Sequence, residues 1–315
     1  MFESFLVVGH QVAVLFILIA LGFLCNKLRI LNAETVAGLT DLVLYVVTPC
    51  IIVVSFQREF SRSMLGGLAL AFLIGVVYHL LNIAFAHGLV RDAFDKRQKV
   101  LRFALVFSNA GYMAFPLQQE LLGDVGVFYG AAVVAVFNLV LWSYGLVLMS
   151  GETRHVSARK LLLNPGVTSV VVGVAFFVAS VKLPPIILEP MRAVAHLNTP
   201  LPMLIIGYYL ADAKLGRVLT DAKVYGVMAL RLVVVPLLLL GGLLLAGVRD
   251  QTTVVACLIA ASAPAAAATT MFSAKFNQDT ILSVGIVSYS TLLSLATMPL
   301  VVGLARYLTE GLVGN

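Results

Sequence analysis

Two short stretches carry the residues best suited to hold a solute. FSNAGYMAFPLQ, residues 107–118, sets Ser108, Asn109, Gly111 and Tyr112 ahead of Pro116 inside an apolar run. ASAPAAAATT, residues 261–270, sets Ser262 and Pro264 ahead of Thr269 and Thr270 in another. A proline inside a helix removes one hydrogen bond and clashes with the carbonyl four residues back, so each stretch should disrupt its helix. A break exposes the N-terminus of the next half-helix, with unpaired N–H groups and partial positive charge. That combination suits a carboxylate, and the Asn109 amide beside it can both donate and accept. The expected solute-binding group is therefore Ser108, Asn109, Gly111, Tyr112, Ser262 and Pro264, with Pro116 and Pro264 keeping the backbone open. Two plainer readings stand beside it: Asn109 capping its own half-helix, and a simple kink relieved by Ser and Thr.

Other residues have less specific chemistry. Asn138 and Trp142 lie one helical turn apart and could line the same cavity. Arg231 is the one basic residue well inside an apolar run; its options are snorkelling towards the interface near Lys223, a structural ion pair, or contact with an anion. Asp41, ahead of Pro49, and Asp212 are the acidic residues best placed for a coupling proton or sodium ion. Pro49, Pro200 and Pro202 interrupt further apolar runs, as kinks or as functional breaks. His10, His79 and His196 read as polar groups facing neighbouring helices. No paired carboxylates, HExxH, Gly-rich phosphate loop or Ser/His/Asp set occurs at usable spacing, so neither an enzyme nor a resident cofactor or metal is expected. Cys25, Cys50 and Cys257 are odd in number and scattered, and read as small buried hydrophobes.

The elements that must position these residues are membrane helices. The chain has 315 residues, 61% hydrophobic and 11% charged, which excludes a soluble domain. The first apolar run lacks a basic n-region and is too long for a signal peptide, so it reads as a retained helix. Candidate spans fall at 5–24, 34–56, 64–88, 101–121, 126–149, 163–182, 188–211, 222–247, 252–274 and 280–305. Of the 21 Lys and Arg residues, fourteen lie in odd-numbered connections and six in the even ones or the C-terminal end, with Arg231 in a span. The odd connections are then cytoplasmic and both termini face outward. The net charge of +6 sets topology and meets lipid headgroups instead of nucleic acid. At an offset of 155 residues Glu34 falls on Glu189, Asp124 on Asp279 and Asn109 on Pro264. Five helices per half is an odd number, so the second copy is inverted, a pattern that points to a secondary transporter with a midplane site. The halves are 1–150 and 161–315, joined by a cytoplasmic linker at 151–160.

Three sequence elements stand in a telling order: Asn109 to Pro116 followed by Leu117; Ala229, Arg231 and Pro236; and Pro264, then FSAKFN (272–277) and DTIL (279–282). Together they resemble the auxin efflux carrier family, which includes plant PIN-type auxin exporters and bacterial carriers of malate and malonate. The resemblance covers essentially the whole chain, without the large cytoplasmic loop of the long plant proteins. It implies an all-α fold of ten helices in two inverted repeats, like sodium–bile acid symporters and NhaA-like antiporters. Helices four and nine would cross in a transport domain of helices 3–5 and 8–10; helices one, two, six and seven would form a scaffold, often dimeric. It further implies an organic-anion carrier in a bacterial inner membrane, working elevator-fashion, with the carboxylate beside Asn109. The small ninth-helix stretch favours a compact carboxylate over an indole. A sodium-coupled bile-acid-type symporter and a non-transporting ligand sensor are the alternatives.

Overall fold

The structure, a computed structural model, describes residues 2–153, 157, 159, 162–211, 220–248 and 250–313, without the side chains of residues 2–9, 11, 12 and 310–313. Arg154, Lys160, Asp212, Lys214, Arg217 and Arg249 lie outside the described residues. Helices α1 (Phe2–Lys27), α2 (Ala33–Ser55) and α3 (Arg62–Leu89) follow the first three expected spans. The fourth span is two helices, α4 (Asp95–Val106) and α5 (110–122), parted by extended backbone at Phe107. Helix α6 (124–150) follows at once, because Gly123 turns the chain at φ +62°, a conformation open chiefly to glycine. Next come α7 (Pro165–Val178), α8 (185–211, through a 3₁₀ turn at His196–Asn198) and α9 (Ala222–Leu245). The ninth span is again two helices, α10 (Gln251–Ser262) and α11 (Ala268–Lys275), before α12 (Thr280–Val313). Among the described residues there is no strand, only an isolated bridge. Five helical runs, one of them the bent α5–α6 pair, are long and apolar enough to cross a bilayer, and shorter apolar helices join them. The chain is an all-helical polytopic membrane protein.

Local sequence explains the helix starts. Asn32, Asn164, Asp221 and Asp250 each cap a helix, their side-chain oxygens accepting N–H groups of the first turn. The prolines act differently from expectation. Pro49 does not interrupt α2: a π-helical turn at Val43–Val47 precedes it and the helix runs on. The same device, a π turn ending two residues before a proline, occurs at Ala110–Ala114 before Pro116 and at Leu230–Val234 before Pro236. Widening the helix makes room for the pyrrolidine ring and spreads the missing hydrogen bond over one turn. Pro116 therefore sits inside a continuing helix, and the break expected of it lies seven to nine residues upstream, at 107–109.

Contacts between helix ends fall into two layers. At one end Lys27 Nζ donates to the Ala211 carbonyl, Lys223 pairs with Asp92, and Gln278 Nε2 donates to the Met149 carbonyl. At the other end Lys182 pairs with Glu59 and the Leu183 N–H donates to Gln57. The first layer holds the strongly basic connections. Between the layers, α1 packs along α8 with almost no separation: a Cβ at Gly207 would stand 2.0 Å from the Ile19 carbonyl oxygen, and one at Gly22 2.3 Å from that of Leu204. Small residues permit this approach, which lets backbones pack without side chains between them.

Candidate functional site

The breaks at 107–109 and 263–267 face each other. The Asn109 N–H donates to the Pro264 carbonyl at 2.8 Å, and the Ala266 N–H donates to the Phe107 carbonyl at 2.9 Å. These two bonds make an antiparallel bridge between Ser108 and Ala265. A third bond ties the bridge to α12, as the Ala265 N–H donates to Ser290 Oγ at 3.1 Å. Extended backbone inside a helical protein has no intrahelical partners, and here each break supplies what the other lacks. Four helix ends meet at this point: the C-termini of α4 and α10 and the N-termini of α5 and α11.

Two cavities adjoin the bridge. One, of about 260 Å³, lies between α2, α5, α6, the start of α7 and α11, and reaches Lys275. The other, of about 250 Å³, lies on the opposite flank of α11, against α8 and α12. Asn109, Tyr112, Ala267 and Met271 border both. Asn109 is only 5% exposed, and its Nδ2 has no hydrogen-bond partner. Thr48 Oγ1, on the wall of the first cavity, is also buried and unpaired. A buried donor without a partner costs about 1–3 kcal/mol, so such atoms on a cavity wall mark a place for a polar solute or water. The N-termini of α5 and α11 adjoin the cavities with their partial positive charge, although Met113 of α5 already donates to the Asn109 carbonyl, and Thr269, Thr270 and Met271 of α11 donate to those of Ala266 and Ala267.

Of the residues singled out from sequence, Ser108, Asn109, Gly111, Tyr112, Asn138 and Trp142 all line the first cavity. Nothing lies within 4 Å of a Cβ built on Gly111, so that edge is open. Asn138 Nδ2 donates to the Val134 carbonyl at 2.9 Å, and Trp142 meets the Phe272 ring edge-on at 5.7 Å. Ser262 and Pro264 are buried and border neither cavity: Ser262 Oγ donates to the Ile259 carbonyl, and Pro264 serves through its carbonyl in the bridge. Pro116, buried, and Pro49, half-buried, line neither cavity; Asp41 is exposed and lines neither, although its neighbour Thr40 borders the second.

Arg231 does not snorkel. It is 1% exposed and points inward, where its guanidinium donates to the Ala261 and Ala263 carbonyls, each at 3.1 Å, to Leu105 at 3.4 Å and to the Tyr78 hydroxyl. Those carbonyls belong to the C-terminal ends of α10 and α4, which leave unpaired oxygens and partial negative charge. They hold the guanidinium more tightly than a distant headgroup could. Sequence reasoning missed Lys275, Met271 and Phe272 as wall residues because Lys275 counts with a connection and the other two only as the end of the ninth span. Their spacing with Ala268, at i, i+3, i+4 and i+7, is the signal of one helical face. Asn164, the cap of α7, joins the wall with no signal beyond the Asn-Pro pair.

No curated protein matches the chain. Residues 7–302 match the family model described as membrane transport protein, nearly the whole length, so the chain belongs to that family, the one to which auxin efflux carriers belong.

Proposed function

We propose that the protein is a secondary carrier of an organic anion, bound at the meeting of α5 and α11. The observation that carries this reading is the unpaired, buried Asn109 amide beside two helix N-termini, on the wall shared by two cavities. In this reading the paired breaks mark two inverted five-helix repeats, and α4–α5 cross α10–α11 near the bilayer midplane. The basic end layer is cytoplasmic, and the first cavity reaches towards it at Lys275. Helices α1, α2, α7 and α8 form the scaffold, where dimerisation would also occur, and the remaining helices move past it as an elevator. Movement needs a weakly bonded surface, and the cavities supply one.

The walls also bear on the solute. Ala266, Ala267 and Ala268 are small, as expected of a site for a compact anion, but Tyr45, Tyr112, Phe137, Trp142 and Phe272 complete the first cavity. Lys275 is its one cationic side chain. A second carboxylate would be desolvated without a partner, a heavy cost in an apolar space. Within the carboxylates, the lining favours one charged head on an apolar body over malonate or malate. Purified protein in liposomes should move radiolabelled benzoate faster than malonate under a proton, sodium or voltage gradient. Absence of flux for every carboxylate tested under all three gradients would defeat the reading.

A further inference from the structure

Helix ends alone do not decide which sign of charge the crossing prefers. Each N-terminus carries about half a positive unit and each C-terminus about half a negative one, so two of each cancel. Arg231 breaks the tie. Its guanidinium sits on the C-terminal carbonyls of α10, reaches that of Leu105 in α4, and makes no ion pair with any carboxylate among the described residues. Its other partner, the Tyr78 hydroxyl, is neutral, and that hydroxyl also approaches the Ala261 carbonyl. The side chain is buried and held by four groups on three helices, so its charge is a fixed part of the crossing.

We propose that Arg231 sets the sign of the site: it masks the negative ends of α4 and α10 and leaves the crossing with one net positive charge, so that α5 and α11 present an anion-selective face. Arg231 acts from behind the bridge and touches no solute, since it borders neither cavity. It is a positioning residue, and its work is electrostatic as well as structural. The same scaffold with a neutral residue here would hold four helix ends in balance and discriminate poorly between a carboxylate and its amide. This inference rests on the anion-carrier reading and adds to it the origin of the charge preference.

The test compares charged and neutral probes of one shape. Binding of benzoate and malonate, each beside its amide (benzamide, malonamide), is measured by calorimetry on the purified, lipid-reconstituted protein, with thermal unfolding recorded in parallel. The wild-type protein should bind at least one acid and neither amide. Arg231→Gln should weaken acid binding about tenfold or more while leaving amide binding unchanged, and Arg231→Lys should stay within about threefold of wild type. Tyr78→Phe, which keeps the cation and removes a neutral partner, should lower thermal stability but not acid affinity. If Arg231→Gln fails to fold, the contrast between Arg231→Lys and Tyr78→Phe still decides: an acid affinity that falls with Tyr78→Phe as stability falls, or with Arg231→Lys, makes the role one of packing and overturns the proposal. Unchanged acid affinity in folded Arg231→Gln overturns it directly. Wild-type protein that binds no acid overturns instead the anion-carrier reading beneath it.

Discussion

Two interfaces in this molecule are built on opposite principles. Where α1 lies along α8, Gly22 and Gly207 bring main chain onto main chain, and no atom could be added between them. Where α11 passes α2, α6, α8 and α12, cavities of about 260 and 250 Å³ flank it, and Gly111 looks onto empty space. Packing energy accumulates from many close contacts and is forfeited across a gap. The first interface therefore resists relative movement, and the second permits it. In the proposed elevator reading one surface stays and the other slides, and glycine would serve each purpose by a different route.

The strongest way to break this contrast is to fill the tight side. Gly207→Val should destabilise the protein by about 3 kcal/mol or more, because backbone cannot yield as a side chain does. Thermal unfolding in lipid nanodiscs would show it, and an unchanged midpoint would mean that α1 and α8 can part. Next in size, Asn109→Ala removes the unpaired amide and should weaken anion binding by roughly 10- to 100-fold, the range of a hydrogen bond to a charged group. The folded yield should hold; unaltered affinity in folded protein would remove Asn109 from the site.

A smaller effect concerns the joint between loops at the basic end. Asp92 pairs with Lys223 at 3.0 Å and Arg97 at 3.6 Å, and Arg97 also pairs with Asp221. Burial pushes the Asp92 carboxyl up, but the Phe94 N–H, the Lys223 hydrogen bond and the charges of Lys223 and Arg97 outweigh it and hold it below the usual carboxylate range. With the folded pKa below the unfolded one of about 3.9, the stabilisation is present above that value and is lost as pH falls through the folded pKa. Asp92→Asn should thus cost about 1 kcal/mol at pH 7, and the gap between variant and wild type should close as pH falls through the folded pKa. A gap that persists in acid would assign the loss to packing. Smallest of all, Gly111→Ala should leave stability within about 0.5 kcal/mol or raise it slightly. If it instead destabilises as Gly207→Val does, the two interfaces are not different in kind.

Much of this was legible in the residues. Hydropathy located the helical runs, and the polar and proline-containing stretches at 107–118 and 261–270 located the two broken helices. Six of the residues singled out there or on the sixth helix do share one cavity, because Asn138 and Trp142 keep helical spacing. What stayed hidden depends on neighbours. Pro116 and Pro264 look alike in sequence, yet one is absorbed by a π turn and the other lies in the break. Arg231 has a plausible path to the interface, and only the arrival of two foreign helix ends beside it turns the side chain inward. Lys275 counts as an ordinary basic residue until α11 is seen to present it beside Met271 and Phe272. Ser262 seemed polar enough to bind, but its hydroxyl has a nearer carbonyl in its own helix.

The bridge at Ser108 and Ala265 has a consequence for how such a protein can diversify. Both of its hydrogen bonds run between peptide groups, so no side chain is needed to fasten it. Any residue small enough to let the two chains touch would keep the joint, and the letters at 265–268 are free to drift among small residues. The walls around the joint can then be exchanged one at a time, with selectivity changing while the machine that carries the solute stays assembled. Ancestry in such a lineage would be recorded less in the letters at the joint than in the persistence of the joint itself.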